Sequence, residues 1–184
     1  GAQYLREELL QGNSRCWSKL YRRSLIGKLR FQRGLSIGED MLFLTELLGY
    51  ARKVSEIDYP GYGYYQNAKG AMNRPFTPSY MDQITCWELA RDRILAIDSA
   101  LEAKVTSILI MGIMLTVGKL AMLPAADRRK NAQYIQICRD KLKQELQVSG
   151  AYELLSGGYR LKAKLFAAAP GLYLYGYHFR KYKG

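Results

Sequence analysis

The spacing of hydrophobic residues predicts helices throughout the C-terminal part of the chain. An apolar stripe at spacings of three and four residues marks the first: Ile84, Trp87, Ala90, Ile94, Ile97 and Leu101. Such spacings put side chains on one helix face. A later stripe, past Pro124, consists of Ile135, Cys138, Leu142 and Leu146. Gly150, Gly157-Gly158 and Pro170-Gly171 are expected to divide the remaining tail into short pieces.

Residues 105–123 form the most hydrophobic stretch between these stripes. A membrane-spanning helix needs about 20 predominantly apolar residues. The uncharged run ends at Gly118, and Lys119 would lie inside such a span. The pattern therefore favours a buried core helix, with an interfacial helix and a true span as the alternatives.

The N-terminal part mixes two periodicities. Residues 16–21, 54–59 and 62–66 are rich in aromatic and branched side chains and predict strands, with Pro60-Gly61 between the last two. Residues 22–29 predict a short helix. Residues 39–50 predict a strong one, with Met41, Leu44, Leu47 and Leu48 on one face.

These elements together predict an α+β fold that is predominantly helical. The stretch from Gly70 to Pro78 is the expected boundary, because Pro75 and Pro78 interrupt a polar segment. We expect a small strand-containing unit over residues 1–74 and a helical subdomain over residues 75–184. Gly1 in place of Met, directly before an apolar helical pattern, predicts that the chain is an excised piece of a longer protein.

Charge is distributed unevenly. The chain of 184 residues carries a net +12; residues 102–184 hold 14 Lys and Arg against 5 Asp and Glu. Such a basic half predicts an anionic partner. In the tail, aromatic residues alternate with the cations Arg160, Lys162, Lys164, Arg180, Lys181 and Lys183. Rings and cations in this mixture suit an anionic membrane surface, although a docked tail with solvated charges gives the same pattern.

Cysteine usage suggests a reducing compartment. Cys16, Cys86 and Cys138 are widely spaced and odd in number, and His178 is the only histidine. A zinc site or a disulfide framework is therefore not expected. We expect a cytoplasmic location, peripheral on the inner face of the cell membrane if the basic tail meets lipid.

Glu39 and Asp40 are the candidate catalytic residues. They follow Gly38 and open the predicted helix over residues 39–50. A helix start stabilises carboxylates, so capping alone explains the pair. An ionised carboxylate facing a cleft can also accept a proton from a sugar hydroxyl.

Four blocks in this part resemble the acceptor-side half of family 2 glycosyltransferases of the GT-A type. They are Trp17-x-Lys19-Leu20-Tyr21-Arg22-Arg23, Phe31-x-x-Gly34-Leu35, Gly38-Glu39-Asp40-Met41-Leu42-Phe43 and Tyr64-Tyr65-x-Asn67. The similarity covers about residues 13 to 74. It implies a nucleotide-sugar-binding sheet flanked by helices, and transfer of a sugar, with inversion, from a nucleotide-sugar donor to a saccharide or lipid-linked acceptor. It also implies that Asp40 is the general base, with Glu39 beside it.

The resemblance also implies what this sequence lacks. The family holds a divalent metal, Mg or Mn, through an Asp-x-Asp motif on an earlier strand, and no such motif occurs here. The donor-binding segment is absent too. The chain is therefore expected to hold no cofactor itself and to be inactive alone, with metal and donor bound by the intact enzyme.

Trp17, Lys19, Tyr64 and Asn67 are the candidate substrate-binding residues. A Trp face can stack on a sugar ring, and a Lys can neutralise a diphosphate. Tyr64 shares a strand face with Tyr62 in an acceptor platform. Packing of Trp17 and the tyrosines, solvation of Lys19 and capping by Asn67 are the structural alternatives.

Two further hypotheses remain. One is a non-catalytic basic helical module that binds a protein or a nucleic acid. Against nucleic acid, no recognition helix, RNP-like strand or zinc spacing occurs. The other is a homodimer formed through an exposed sheet edge.

Overall fold

The fold of this chain, obtained as a computed structural model, is described here for residues 1–65, 70 and 74–183, with side chains to residue 181. The helices are α1 (Ala2–Glu7), α2 (Arg23–Ile26), α3 (Glu39–Tyr50), α4 (Asp82–Ile97), α5 (Glu102–Met122), α6 (Ala125–Lys130), α7 (Ala132–Glu145), α8 (Gly157–Ala168) and α9 (Pro170–Lys183). Short 3-10 turns lie at Leu9–Gln11, Pro78–Met81 and Ser99–Leu101.

The prediction of an α+β fold is wrong, whereas its predominantly helical character is confirmed. No residue in the described part of the chain belongs to a β-strand. Residues 52–65 have no ladder partner, and local bonds from Tyr59 N–H to the Ile57 carbonyl and from Gly61 N–H to the Tyr59 carbonyl turn the backbone instead. A strand needs a neighbour for its backbone groups, so strand-like composition alone does not produce one.

The strand predicted over residues 16–21 is likewise an irregular segment, with Ser18 at a positive φ of 60°. The predicted helix over residues 22–29 shortens to the single turn of α2, because Gly27 ends it. By contrast, α3 begins and ends where its pattern predicts. Gly157 is the first residue of α8 and Pro170 the first of α9. The Gly157-Gly158 and Pro170-Gly171 pairs therefore mark the starts of two helices, of 12 and 14 residues.

α5 is the central helix of the fold. It contacts α4, α7, α8 and α9, while α3 packs on the far side of α4. Val105, Leu109, Ile110, Ile113 and Val117 of α5 have no exposed surface. The predicted apolar stripes of α4 and α7 also face this core, with Ile84, Ala90 and Ile94, and with Cys138 and Leu142.

α5 also meets the simplest criteria for a membrane helix. Within the described residues, the helical stretch Ser99–Met122 is long and apolar enough to cross a bilayer. Inside the protein, 72% of its most apolar window is buried. Core helices of soluble proteins meet the same criteria of length and composition.

One hydrophobic core joins residues from both sides of the predicted boundary at residue 74. Leu5, Leu42 and Leu44 from the N-terminal part lie in the same buried cluster as Ile94 and Leu109. An ion pair between Arg91 of α4 and Glu145 of α7, 2.5 Å long, adds a polar link at the edge of the core.

Candidate functional site

Glu39 and Asp40 occupy the first turn of α3, and both are half-buried. Gly38 precedes them in a left-handed conformation, with φ at 92°. Oδ1 of Asp40 accepts a hydrogen bond from the Met41 backbone N–H at 2.8 Å. Among the residues that the structure describes, none donates a hydrogen bond to Oδ2.

The segment over residues 16–21 lies against this first turn. The Cys16 thiol donates to the Asp40 carbonyl oxygen at 3.1 Å, and the Tyr21 hydroxyl donates to the Cys16 carbonyl at 2.9 Å. The Tyr21 ring meets Phe43 of α3 edge-on, with ring centroids 6.5 Å apart. These contacts hold Cys16, the residue before Trp17, against the first turn of α3.

Trp17 is the centre of an exposed group of rings, which we call the Trp17 aromatic stack (Trp17, Tyr62 and Tyr64). Tyr62 and Tyr64 each lie 5.0 Å from Trp17 by ring centroids, with planes inclined by 16°. The Arg15 guanidinium lies 5.6 Å from the indole centroid. Trp17 is 37% exposed, Tyr62 49% and Tyr64 60%. The stack therefore presents aromatic surface to solvent.

Lys19 adds a positive charge two residues after Trp17. Its Nζ donates to Oδ1 of Asn13 at 2.7 Å. Partial burial lowers the pKa of the Lys19 ammonium, while the carboxylates of Glu8 and Asp40 act in the opposite direction. Lys19 thus lies within electrostatic range of Asp40 without forming an ion pair with it.

Cys86 of α4 packs against Gly38, the residue that precedes the two carboxylates. A Cβ added to Gly38 would lie 3.0 Å from Cβ of Cys86. Burial raises the pKa of the Cys86 thiol to about 12, and the nearby charges of Glu39, Asp82 and Asp40 add to the shift. For Cys16, burial and the charge of Asp40 raise the thiol pKa to about 11. Both thiols are therefore protonated at neutral pH.

Sequence reasoning missed these thiols and Asp82 as neighbours of the carboxylate pair. Oδ2 of Asp82 accepts from the Ser36 backbone N–H at 2.9 Å, which ties the loop before α3 to the start of α4. Ser36 and Asp82 are 46 residues apart in the sequence, so no local sequence pattern predicts their contact. Asn67, by contrast, lies outside the described residues.

The predicted membrane-contact residues belong to a different part of the fold. Arg160, Lys164, Arg180 and Lys181 are exposed on α8 and α9. Lys162 is half-buried, with its Nζ 5.3 Å from the Tyr159 ring centroid. The side chain of Lys183 lies outside the described residues. α8 and α9 pack on α5 and on each other, whereas α3 packs on α1 and α4.

The resemblance implies a Mg or Mn site for an intact enzyme. Over the described part of the chain, no group of three or more His, Cys, Asp or Glu is arranged to hold a metal ion. Comparison with known proteins adds no assignment: no family model, no curated protein and no solved structure matches this chain.

Proposed function

We propose that this chain forms the acceptor-binding part of a sugar-transferring enzyme and that Asp40 is its general base. The observation that carries the proposal is that Trp17, in the exposed aromatic stack, directly follows Cys16, whose thiol contacts the backbone carbonyl of Asp40 at the start of α3. This contact of 3.1 Å links the stack to the helix start. Aromatic surface next to a carboxylate is an arrangement that can bind a sugar and accept a proton from it.

The aromatic stack accounts for the binding step. The C–H face of a pyranose ring is apolar, and a Trp or Tyr ring offers a flat apolar surface that still tolerates water at its edge. Because Trp17 already stacks on both tyrosines, the more exposed Tyr62 and Tyr64 offer the surface for such a contact. Arg15, already above the indole, offers donors to hydroxyl groups at the rim of the sugar.

Asp40 accounts for the chemical step. The acceptor hydroxyl oxygen attacks the anomeric carbon of the donor, the bond from that carbon to the nucleotide phosphate breaks, and the hydroxyl proton passes to Oδ2 of Asp40. The unpaired N–H groups of the α3 start favour the negative charge that a base must carry. Glu39, next to the base, contacts the acceptor sugar. Lys19 supplies positive charge for the leaving phosphate.

The proposal leaves the donor site to another segment of polypeptide. The test therefore uses the enzyme in which this chain is joined to its nucleotide-sugar-binding segment, with transfer to a saccharide acceptor measured by product formation. We expect Asp40→Asn to lower kcat by about 10²–10⁴-fold, because general-base catalysis contributes that much. Binding of the donor should be unchanged.

Asp140→Asn is the matched control, since Asp140 is exposed on α7 and is bonded to Gln136 of the same helix. That variant should keep full turnover. Equal turnover in Asp40→Asn and Asp140→Asn would contradict the role of Asp40 and leave Glu39-Asp40 as the N-terminal charge of a helix.

A further inference from the structure

α8 and α9 form a single layer on one side of α5. Both helices contact α5 and each other. Phe166 of α8, with no exposed surface, and Tyr173 of α9, 5% exposed, meet edge-on inside this layer with centroids 5.6 Å apart. Residues on the opposite side of each helix therefore face away from the core, and we call these two outward faces together the outer surface of α8 and α9.

That outer surface is unusually apolar. On α9, Leu172, Tyr175 and Phe179 recur at i, i+3 and i+7 and are 64%, 66% and 50% exposed. The Tyr175 and Phe179 rings stack with centroids 6.5 Å apart. On α8, Leu161 is 71% exposed, and Leu165 follows one turn later. Such spacing is the normal signature of a core-facing stripe, yet here it faces solvent.

Exposed cations lie on both helices, although the helix periodicity puts Lys181 on the face of Leu174 and Tyr177 and not on the stripe of Leu172, Tyr175 and Phe179. Arg160 and Lys164 on α8 and Arg180 and Lys181 on α9 are exposed. Residues 151–184 contain six Lys and Arg and a single acid, Glu153. No ion pair involving these four cations forms within the described residues. The surface thus combines unneutralised positive charge with exposed leucine and aromatic side chains.

We propose that the outer surface of α8 and α9 docks on an anionic lipid bilayer. Lys and Arg are attracted to the negative headgroup layer, while Leu and Phe leave water for the acyl boundary and Tyr remains at the interface. A nucleic acid offers negative charge but no apolar layer that would take up the stripe of α9. The proposal is independent of the sugar-transfer function, because it uses neither Asp40 nor the Trp17 aromatic stack.

The test is co-sedimentation of the chain with vesicles of phosphatidylcholine, with and without about 30% phosphatidylglycerol. We expect binding that requires phosphatidylglycerol and weakens as salt is raised. The variant Arg160→Gln/Lys164→Gln/Arg180→Gln/Lys181→Gln should bind at least about tenfold more weakly, since each cation near a charged membrane contributes to the attraction. Tyr175→Ser/Phe179→Ser should also lose binding, although it keeps every charge.

A matched control removes the same charge elsewhere. Arg22, Arg23, Lys28 and Arg33 are exposed cations near α2, and their replacement by Gln should leave vesicle binding unchanged. All substituted residues are exposed, and circular dichroism checks that the helices persist. Equal loss in both charge variants would overturn the proposal, as would absence of binding to vesicles that contain phosphatidylglycerol, with or without α8–α9-dependent binding to an oligonucleotide.

Discussion

Gly38 determines how Glu39 and Asp40 enter α3. Its φ of 92° is a left-handed conformation that residues with a Cβ adopt at a cost. The space beside it is also filled, because an added Cβ would lie 3.0 Å from Cβ and 3.3 Å from Sγ of Cys86. The positive φ of Gly38 and the close approach of Cys86 therefore both favour glycine at this position.

Gly34 provides a matched comparison for a substitution at Gly38. Gly34 also has a positive φ, 82°, but an added Cβ there would meet no atom within 4 Å. Gly34→Ala should lower the free energy of unfolding by about 1 kcal/mol, the backbone cost alone. Gly38→Ala should lower it by at least about 1 kcal/mol more, because α3 and α4 must move apart. Urea unfolding measures both, and equal losses would contradict the close packing at Cys86.

Because two cysteine thiols are buried, we expect the free energy of unfolding to fall at alkaline pH. Burial raises the pKa of Cys86 and of Cys138 to about 12, from an ordinary value of 9.0. From pH 9 upward, the unfolded chain releases thiol protons that the native chain retains, so the native state loses relative stability until about pH 12. At pH 10 the loss should be about 1 kcal/mol for each thiol.

The contribution of these thiols is isolated with Cys86→Ala/Cys138→Ala. Urea unfolding of this variant and of the unchanged chain is compared at pH 8 and pH 10. Other groups titrate in both proteins, so only the difference between the two pH dependences reports on the thiols. The variant should lose about 2 kcal/mol less between the two pH values. The same loss in both proteins would show that the thiols do not remain protonated in the native state.

At the scale of elements, helices were predictable because their signals are local. The ends of α3 follow from a glycine, two acidic residues and one apolar face, all within residues 38–50. Strands depend on partners, and in the described chain residues 16–21 and 54–65 have none. Their aromatic and branched composition was correctly recognised, but it leads to exposed side chains such as Ile57 and Tyr59.

The candidate site could be predicted only in part for the same reason. The sequence drew attention to Trp17, Asp40 and Tyr64 one at a time. The stacking of Trp17 on Tyr64, across 47 residues, and the approach of Cys86 to Gly38 are contacts between distant segments. Such contacts depend on the packing of α3 on α4 and on the course of the loops. The hydrophobic periodicity of a single segment does not predict either of them.

α5 allows a sharp test of its role as the core helix. Leu109 has no exposed surface, whereas Leu115 on the same helix is 51% exposed. Leu109→Ala should lower the free energy of unfolding by about 2–5 kcal/mol through lost burial and a cavity. Leu115→Ala should change it by about 0.5 kcal/mol or less. Thermal or urea unfolding in aqueous buffer distinguishes them, and similar small effects would contradict the central position of α5.

At the scale of the whole molecule, one core supports two separate surfaces. The Trp17 aromatic stack and the α3 start lie beside α1 and α4, while the outer surface of α8 and α9 lies beyond α5. The buried cluster runs from Leu5 through Leu109 to Phe166 and connects them. The proposed saccharide site and the proposed lipid surface can therefore be altered independently, without a shared side chain.

The central claim is that the Trp17 aromatic stack binds a saccharide, and the fluorescence of Trp17 tests it most directly. The chain has two tryptophans, and Trp87 is 8% exposed on α4, so Trp87→Phe leaves Trp17 as the single reporter. This variant is titrated with hexose and N-acetylhexosamine oligosaccharides to about 10 mM, a range suited to weak binding. We predict a saturable change in emission that persists in Asp40→Asn and disappears in Tyr62→Ala/Tyr64→Ala. No saturable change with any of these saccharides, or an equal change without the two tyrosines, would contradict the claim.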